Sequence, residues 1–88
     1  MESFALLKTY PNPFNPITTF SFMLERSGDV NLTIFDLQGK RVTNLINGWR
    51  TEGEHEVSWD ASGFASGIYI YRLKAGEFVA SGKIVLLK

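Results

Sequence analysis

The stretch ITTFSFML, Ile17–Leu24, decides the fold because its side chains alternate with a period of two. One face of an extended chain would carry Phe20, Phe22 and Leu24, while the other would carry hydroxyl groups and a methionine. This pattern is typical of a β-strand with one buried face. Residues 4–9 form the apolar run before it and predict the first strand of the chain.

A second run with the same alternation follows. Val30, Leu32 and Ile34 are expected to face a core, and Asn31 and Thr33 to face water. Turn-forming residues separate the apolar runs at regular intervals, and no window shows the period of an amphipathic helix. We therefore predict one all-β domain over residues 1–88, an Ig-like antiparallel β-sandwich of about seven strands.

The run at residues 68–73 is apolar on both faces. Tyr69, Tyr71 and Leu73 share one side, but Ile68 and Ile70 make the other side apolar as well. A strand of this kind lies in the middle of a sheet or beneath a covering loop.

Three turns can be predicted from their residues. Residues 36–39 suit a type I turn, with Asp36 first and Gly39 last in a left-handed conformation. Ala75-Gly76 predicts a tight hairpin between two strands. Asn47-Gly48 is also a hairpin signature, but we interpret it as the opening of a longer loop that ends at Gly53.

Composition and charge exclude several classes of function. There is no cysteine, and nine basic side chains balance nine acidic ones scattered along the chain, which argues against nucleic-acid binding. The longest apolar run, at residues 84–87, is far too short to span a bilayer, so no membrane insertion is expected. Residues 1–3 do not resemble the start of a signal peptide.

No residue pattern indicates catalysis, a metal site or a cofactor. The single histidine, His55, has Glu54 and Glu56 on the opposite strand face, so we interpret it as a surface histidine. Glu52 and Asp60 lie nearby, but a calcium loop needs six or more converging oxygens and its motif is absent. We therefore predict that the protein is not an enzyme.

The two tryptophans have different predicted roles. Trp59 lies in strand alternation and is expected in the core. Trp49 follows the Asn47-Gly48 signature, where an indole could stack on a sugar. The interpretation we favour is that Trp49 folds back over the end of the sandwich.

The most unusual segment consists of Pro11, Asn12, Pro13, Phe14, Asn15 and Pro16. Its prolines remove backbone donors and favour an extended preceding residue, which predicts a stiff connector with Phe14 as an apolar plug. The favoured role is to carry the chain from one sheet to the other, or along an edge that must not aggregate. The alternative is a docking ledge for a partner.

Five blocks of sequence carry a family resemblance. They are YPNPFNP with TTFSF (10–16 and 18–22), LTIFD with GKRV (32–36 and 39–42), GEH with VSWD (53–55 and 57–60), ASGIYIYRL (65–73) and KIVLLK (83–88). Together they resemble the type A C-terminal sorting domain of the type IX (Por) secretion system of Bacteroidetes-like bacteria. The Ig-like domain of the flagellar hook-capping protein shares much of this pattern.

The resemblance implies seven antiparallel strands in two sheets and a non-catalytic role in protein transport. Such a domain follows an N-terminally fused cargo and is recognised in the periplasm by the outer-membrane export machinery. A sortase-like transpeptidase then removes it and attaches the cargo to surface lipopolysaccharide. The implied location is secreted or cell surface, reached through the periplasm.

The same resemblance implies which residues a partner would recognise. They are Lys83, Ile84, Val85, Leu86, Leu87 and Lys88, with Gly67 and Tyr69 beside them. A terminal strand would expose an unpaired ladder that a receptor can extend. The alternative is a structural or adhesive Ig-like module that binds carbohydrate through Trp49 and Tyr10. Pairing of exposed edge strands would give a weak homodimer.

Overall fold

The computed structural model describes residues 4–88, with side chains from Leu7 onward. In this range the chain forms the strands β1 (Phe4–Tyr10), β2 (Ile17–Leu24), β3 (Gly28–Phe35), β4 (Arg41–Arg50), β5 (Gly53–Asp60), β6 (Gly67–Ala75) and β7 (Phe78–Leu86). Sheet A has the order β1-β2-β5, and sheet B has the order β4-β3-β6-β7. All neighbouring strands are antiparallel, so the all-β sandwich prediction is confirmed.

The core lies between the two sheets, and the period-two pattern supplies it. Phe20, Phe22 and Leu24 of β2 are buried against β3 residues Leu32 and Ile34. Burial of a side chain of this size stabilises the fold by roughly 1.5–3 kcal/mol before the entropy cost. The strand faces predicted for Ile17–Leu24 are therefore confirmed.

Thr33 is a correction to the sequence prediction, because it is buried and not in contact with water. Its strand, β3, lies between β4 and β6, so neighbouring side chains cover its outer face. The Thr33 hydroxyl donates to Asn31 Oδ1 (2.6 Å) and accepts from Asn44 Nδ2 (2.8 Å). A buried hydroxyl is tolerated because both of its hydrogen-bonding roles are satisfied.

The doubly apolar run lies in β6, between β3 and β7, so its prediction as a central strand is confirmed. Tyr69 and Leu73 are buried on its inner face. The Tyr71 ring also points inward and packs edge-on against Phe20, with 5.4 Å between the ring centroids. It lies across Gly82 of β7, where an added Cβ would come within 2.7 Å of the Tyr71 Cε2 atom.

Two of the three turn predictions are confirmed. The Gly39 N–H donates to the Asp36 carbonyl oxygen (3.0 Å), and Gly39 has a φ of 86°. Asp36 Oδ1 also accepts from the backbone N–H groups of Gln38 and Lys40, both at 2.9 Å. Gly76, with a φ of 62°, begins the short connection between β6 and β7.

The predicted loop at Asn47-Gly48 is wrong. Both residues continue β4, where Asn47 pairs with Asn31 and Gly48 pairs with Val30. β3 offers pairing partners from Gly28 onward, so the ladder runs past the turn signature. Residues 51 and 52 make the connection from β4 in sheet B to β5 in sheet A.

Candidate recognition site at the end of β7

Residues 11–16, named here the plug segment, connect β1 to β2. These strands are neighbours in sheet A, so the prediction that the segment carries the chain between sheets is wrong. The segment instead leaves sheet A, runs beside β7 of sheet B and returns. The alternative part of the prediction, that it lies along an edge, is confirmed. Its three X-Pro peptide bonds are cis.

Phe14 anchors the plug segment in the core and is 2% exposed. Its ring centroid lies 5.7 Å from that of Trp59, which also contacts Phe64 at 5.5 Å and Tyr69 at 5.6 Å. Aromatic pairs at these separations stabilise a core beyond the area they bury. Phe14 as a plug and Trp59 as a core residue are both confirmed.

The plug segment also bonds to the outer edge of β7. The Phe14 N–H donates to the Val85 carbonyl oxygen, and the Leu87 N–H donates to the Phe14 carbonyl oxygen, both at 2.9 Å. Asn12 adds its side chain: Nδ2 donates to the Lys83 carbonyl oxygen and Oδ1 accepts from the Val85 N–H, both at 3.0 Å. One side chain thus mimics the backbone of a neighbouring strand.

These bonds correct the expectation of an open ladder at the end of the chain. The backbone N–H and carbonyl oxygen of Val85 both bond to the plug segment, so both groups point away from β6. The direction of the backbone N–H and carbonyl groups alternates from one residue to the next along an antiparallel strand. The backbone groups of Val79, Ser81 and Lys83 therefore also point away from β6. In the described part of the chain, only the groups at Val79 and Ser81 and the Lys83 N–H remain open at this edge.

Thr18 holds the start of the plug segment and was missed by the sequence analysis. It is 0% exposed, and its hydroxyl donates to the Pro11 carbonyl oxygen (2.8 Å) while Thr9 Oγ1 lies 3.2 Å away. The Ala61 N–H donates to the Pro16 carbonyl oxygen (2.9 Å) at the other end. The available signal was strand parity, which places Thr18 on the same face as Phe20.

The connection between β5 and β6, residues 61–66, completes the site. Lys88 Nζ donates to the carbonyl oxygens of Ser62 and Phe64, both at 2.7 Å. Asp60 Oδ1 accepts from the Ser62 hydroxyl (2.7 Å) and N–H (3.0 Å). These hydrogen bonds lower the pKa of the Asp60 carboxyl below its ordinary value. We name the plug segment, residues 61–66 and residues 83–88 the terminal corner.

The structure divides the predicted recognition residues by burial. Ile84, Leu86 and Tyr69 are buried, whereas Leu87 is 53% exposed and Lys83 and Lys88 are also exposed. Val85 and Gly67 are intermediate. The buried residues fix the strand, so only the exposed ones present side chains to a partner. Their recognition role remains a prediction.

The prediction that Trp49 covers the end of the sandwich is wrong. Trp49 lies in β4 opposite Asp29 and is 59% exposed, because β4 extends as a regular strand beyond Asn47. Tyr10 is 55% exposed but lies in β1 of the other sheet, so the two rings do not belong to one sheet face. Ligand stacking on Trp49 stays a prediction.

The His55 side chain in β5 packs against a neighbouring strand and makes one hydrogen bond. Its ring stacks on its cross-strand neighbour Phe22, with 5.5 Å between ring centroids, and Nε2–H donates to the Thr51 carbonyl oxygen (2.6 Å). Among residues 4–88, no group of three or more His, Cys, Asp or Glu side chains could hold a metal ion.

The fold gives the outer faces of the two sheets an excess of opposite charge, although Asp29 lies on the outer face of sheet B and Lys8 on that of sheet A. Arg41, Arg72, Lys74 and Lys83 lie on the outer face of sheet B, on three different strands. The outer face of sheet A carries acidic residues, namely Glu54, Glu56 and Asp60. These cations are far apart along the chain, so no run of basic residues in the sequence indicates this face. The described residues contain no helix long and apolar enough to cross a membrane.

Comparisons with known proteins agree with this architecture. A model of the secretion system C-terminal sorting domain family matches residues 8–87. The structure is similar to part of PorZ, an essential bacterial surface component of the type IX secretion system of Porphyromonas gingivalis. The TM-score is 0.63 at 19% identity, over 93% of this chain and 11% of PorZ, which supports the fold.

A second solved structure, the alkylpurine DNA glycosylase AlkC of Pseudomonas fluorescens, has a TM-score of 0.48 at 11% identity, over 98% of this chain and 30% of AlkC. This similarity is too weak to support an inference. No individually curated protein matches the chain. The family match covers nearly all of the chain, including the plug segment and β7. The chain therefore belongs to the secretion system C-terminal sorting domain family, whose members are sorting signals for type IX secretion.

Proposed function

We propose that this domain follows a cargo protein and is recognised in the periplasm by the outer-membrane export machinery through the terminal corner. The domain binds a protein receptor and catalyses no reaction itself. After translocation, a sortase-like transpeptidase removes the domain and attaches the cargo to the cell surface. The family match supports the sorting function, and the terminal corner suggests where recognition takes place.

The observation that carries the proposal is the convergence of three sequence blocks. The plug segment, residues 61–66 and the end of β7 are distant in sequence but are joined by the Phe14–Val85 and Lys88–Ser62 hydrogen bonds. A receptor that contacts this corner would therefore distinguish a folded tag from an unfolded chain. Such selection by shape needs a rigid surface, which the aromatic cluster around Trp59 provides.

The exposed side chains suggest how the corner is contacted. Leu87 offers an exposed apolar side chain next to Lys88 in the chain, and Lys83 is exposed on the preceding strand. A solvated apolar side chain with charged neighbours is a common element of a protein interface. Ile84 and Leu86 hold the backbone in place from the inside.

An export assay tests the proposal. A periplasmic reporter fused to the N-terminus of the domain is expressed in a host with a type IX system, and the exported fraction is measured. Deletion of residues 83–88 is a poor test because it removes the core residues Ile84 and Leu86. Leu87→Asn is the better variant, since it changes an exposed side chain and leaves the core intact.

Val79→Asn is the matched control. Val79 lies on the outer face of β7, Leu87 follows the last residue of that strand, and both side chains are 53% exposed. We expect Leu87→Asn to reduce export about tenfold, as loss of one apolar contact can do, and Val79→Asn to leave it unchanged. Equal export of both variants and the parent domain, with equal thermal stability, would overturn recognition at the terminal corner.

Removal of the tag is tested on the same exported reporter. Mass spectrometry of the surface-attached product is expected to show the reporter without residues 1–88. An exported reporter that retains the whole domain would contradict the transpeptidase step and leave the recognition step standing.

A further inference from the structure

The outer face of sheet B holds two adjoining depressions that the sorting function does not explain. One has a volume of about 320 Å³ and is lined by Asn31, Thr33, Phe35, Arg41, Arg72 and Lys74. The other has a volume of about 410 Å³ and is lined by Phe35, Asp36, Leu37, Gly39, Ile70, Arg72 and Ser81. The Asp36 carboxylate already accepts hydrogen bonds from the N–H groups of Gln38 and Lys40, so Leu37 and Ile70 supply the apolar surface. We name them the cationic depression and the apolar depression. They share Phe35 and Arg72.

Strand register brings the three cations of the first depression together. Arg41 lies opposite Phe35, Arg72 opposite Thr33, and Lys74 opposite Asn31. Within residues 4–88, none of these three side chains makes an ion pair. Two carboxylates lie near them, because Asp36 lines the adjoining depression and Asp29 lies on the same sheet face beside Lys74, so the cations are in excess. Like charges in excess repel one another, and a bound anion lowers that cost.

Arg72 is held in a defined position between the two depressions. Its guanidinium carbon lies 5.1 Å from the centroid of the Phe35 ring, a cation–π arrangement. Stacking on a ring leaves the edge of the guanidinium group and its N–H donors free. A planar fork of donors matches a carboxylate with two parallel hydrogen bonds.

The floor of the cationic depression is polar and fixed. Thr33 is 4% exposed, and its hydroxyl is hydrogen-bonded to both Asn31 and Asn44. Asn44 Nδ2 also donates to the Leu32 carbonyl oxygen (3.2 Å). A floor that is already ordered lowers the entropy cost of binding.

The apolar depression has a different chemistry. Leu37, in the turn between β3 and β4, is 65% exposed, and Ile70 is intermediate beside it. Covering apolar surface of this kind is favourable because it removes that surface from water. A ligand that fills both depressions must therefore carry negative charge and an apolar group side by side.

We propose that the outer face of sheet B docks an extended acidic peptide segment of a protein partner. Its carboxylates occupy the cationic depression, and one aliphatic or aromatic side chain occupies the apolar depression. The two depressions succeed one another along β3 and the turn after it, so the acidic and apolar residues are about two to four positions apart. This proposal rests on the proposed function, in which the receptor is a protein.

The test uses short synthetic peptides and the folded domain. The first peptide carries two glutamates at alternate positions followed by a leucine, and the second has glutamine in place of each glutamate. We expect the acidic peptide to shift the backbone amide NMR signals of Thr33, Ile70 and Arg72, and the glutamine peptide to cause no shift. Shifts caused equally by both peptides, or confined to other strands, would overturn the proposal.

Matched variants locate the contact. Arg72→Ala is expected to weaken binding of the acidic peptide about tenfold, and Arg72→Lys less, because the charge remains while the fork is lost. Lys8→Ala removes one exposed cation from β1 of sheet A and is expected to have no effect. Equal weakening by Arg72→Ala and Lys8→Ala would mean that only net charge matters, which would contradict a site.

Two further outcomes separate this proposal from its alternatives. Binding of phosphatidylglycerol vesicles through the same residues, without peptide binding, would assign the face to a lipid surface and overturn the peptide proposal. If Leu87→Asn abolishes reporter export but the acidic peptide does not bind, this inference fails and the proposed function stands. If the peptide binds but the reporter is never exported, the proposed function fails.

Discussion

The two halves of β7 share one edge of sheet B but differ in what covers it. Residues 83–86 with Leu87 just after them, named the capped half, bond to Asn12 and Phe14 of the plug segment, and Ile84 and Leu86 are completely buried. Residues 78–82, the open half, leave outward backbone groups without a partner at Val79 and Ser81 in the described chain. Their inward positions are only partly buried.

The difference shows how a small domain manages an exposed strand edge. An unpaired edge invites pairing with other chains, and proline-rich cover is one way to prevent it. Here the cover lies on the half that carries the last family block, so the half predicted to contact a receptor is also the more rigid one. The open half has the unpaired backbone groups, but its inward residues are less deeply buried.

Removal of the Phe14 ring should have the largest effect on the capped half. Phe14→Ala empties a site that is 2% exposed and frees the plug segment, so we expect a loss of about 3–5 kcal/mol in the free energy of unfolding. Urea denaturation measures it. Tyr10→Ala, at a 55% exposed ring, is the control and should cost far less. A loss below about 1 kcal/mol for Phe14→Ala would mean that the plug is not part of the core.

Gly82→Ala tests packing within the open half. The new Cβ would press on the Tyr71 ring, so ring or strand must move at a cost of about 1–3 kcal/mol. Gly28→Ala, a strand glycine with no atom within 4 Å of its added Cβ, should be neutral or slightly stabilising. Thermal unfolding of both variants checks the contrast. Equal stability would show that the Tyr71 ring does not lie over Gly82.

A pair of proline substitutions tests whether the backbone N–H groups of the capped and open halves differ in hydrogen bonding. Val85→Pro removes the N–H that bonds to Asn12 Oδ1 and should cost about 1–2 kcal/mol. Ser81→Pro removes an outward N–H with no partner in residues 4–88 and should change stability by less than about 0.5 kcal/mol. Equal losses in urea denaturation would contradict the assignment of capped and open halves.

The smallest effect is the pH response of Tyr71. Partial burial raises the pKa of its phenol, so the folded state favours the neutral form. Stability is then fully present below the ordinary tyrosine pKa, near 10, and is lost as pH rises through the raised pKa. The free energy of unfolding, measured across this alkaline range, should decline less for Tyr71→Phe than for the parent domain. An identical decline would mean that Tyr71 is as solvated folded as unfolded.

Much of the fold follows from the sequence because apolar alternation is a local signal. The faces of β2, the central position of β6 and the turn at Asp36 were all predictable from neighbouring residues. The Asn47-Gly48 loop was not, since pairing along β3 overrides a turn signature. Trp49 became exposed for the same reason.

The site was less predictable because it depends on contacts distant in sequence. The plug role of Phe14 could be inferred from the prolines around it, but the bonds from Asn12 to β7 span 71 and 73 residues. The basic face of sheet B likewise depends on the register of three strands. Neither leaves a pattern in the linear sequence.

Hydrogen exchange of the outward-pointing amides of β7 and of Leu87, the residue after it, tests the central claim most directly. The claim is that the plug segment closes the end of this strand and leaves its beginning open. We predict slow exchange at Val85 and Leu87, whose N–H groups donate to Asn12 and Phe14, and fast exchange at Val79 and Ser81. Equally fast exchange at all four amides would contradict the account.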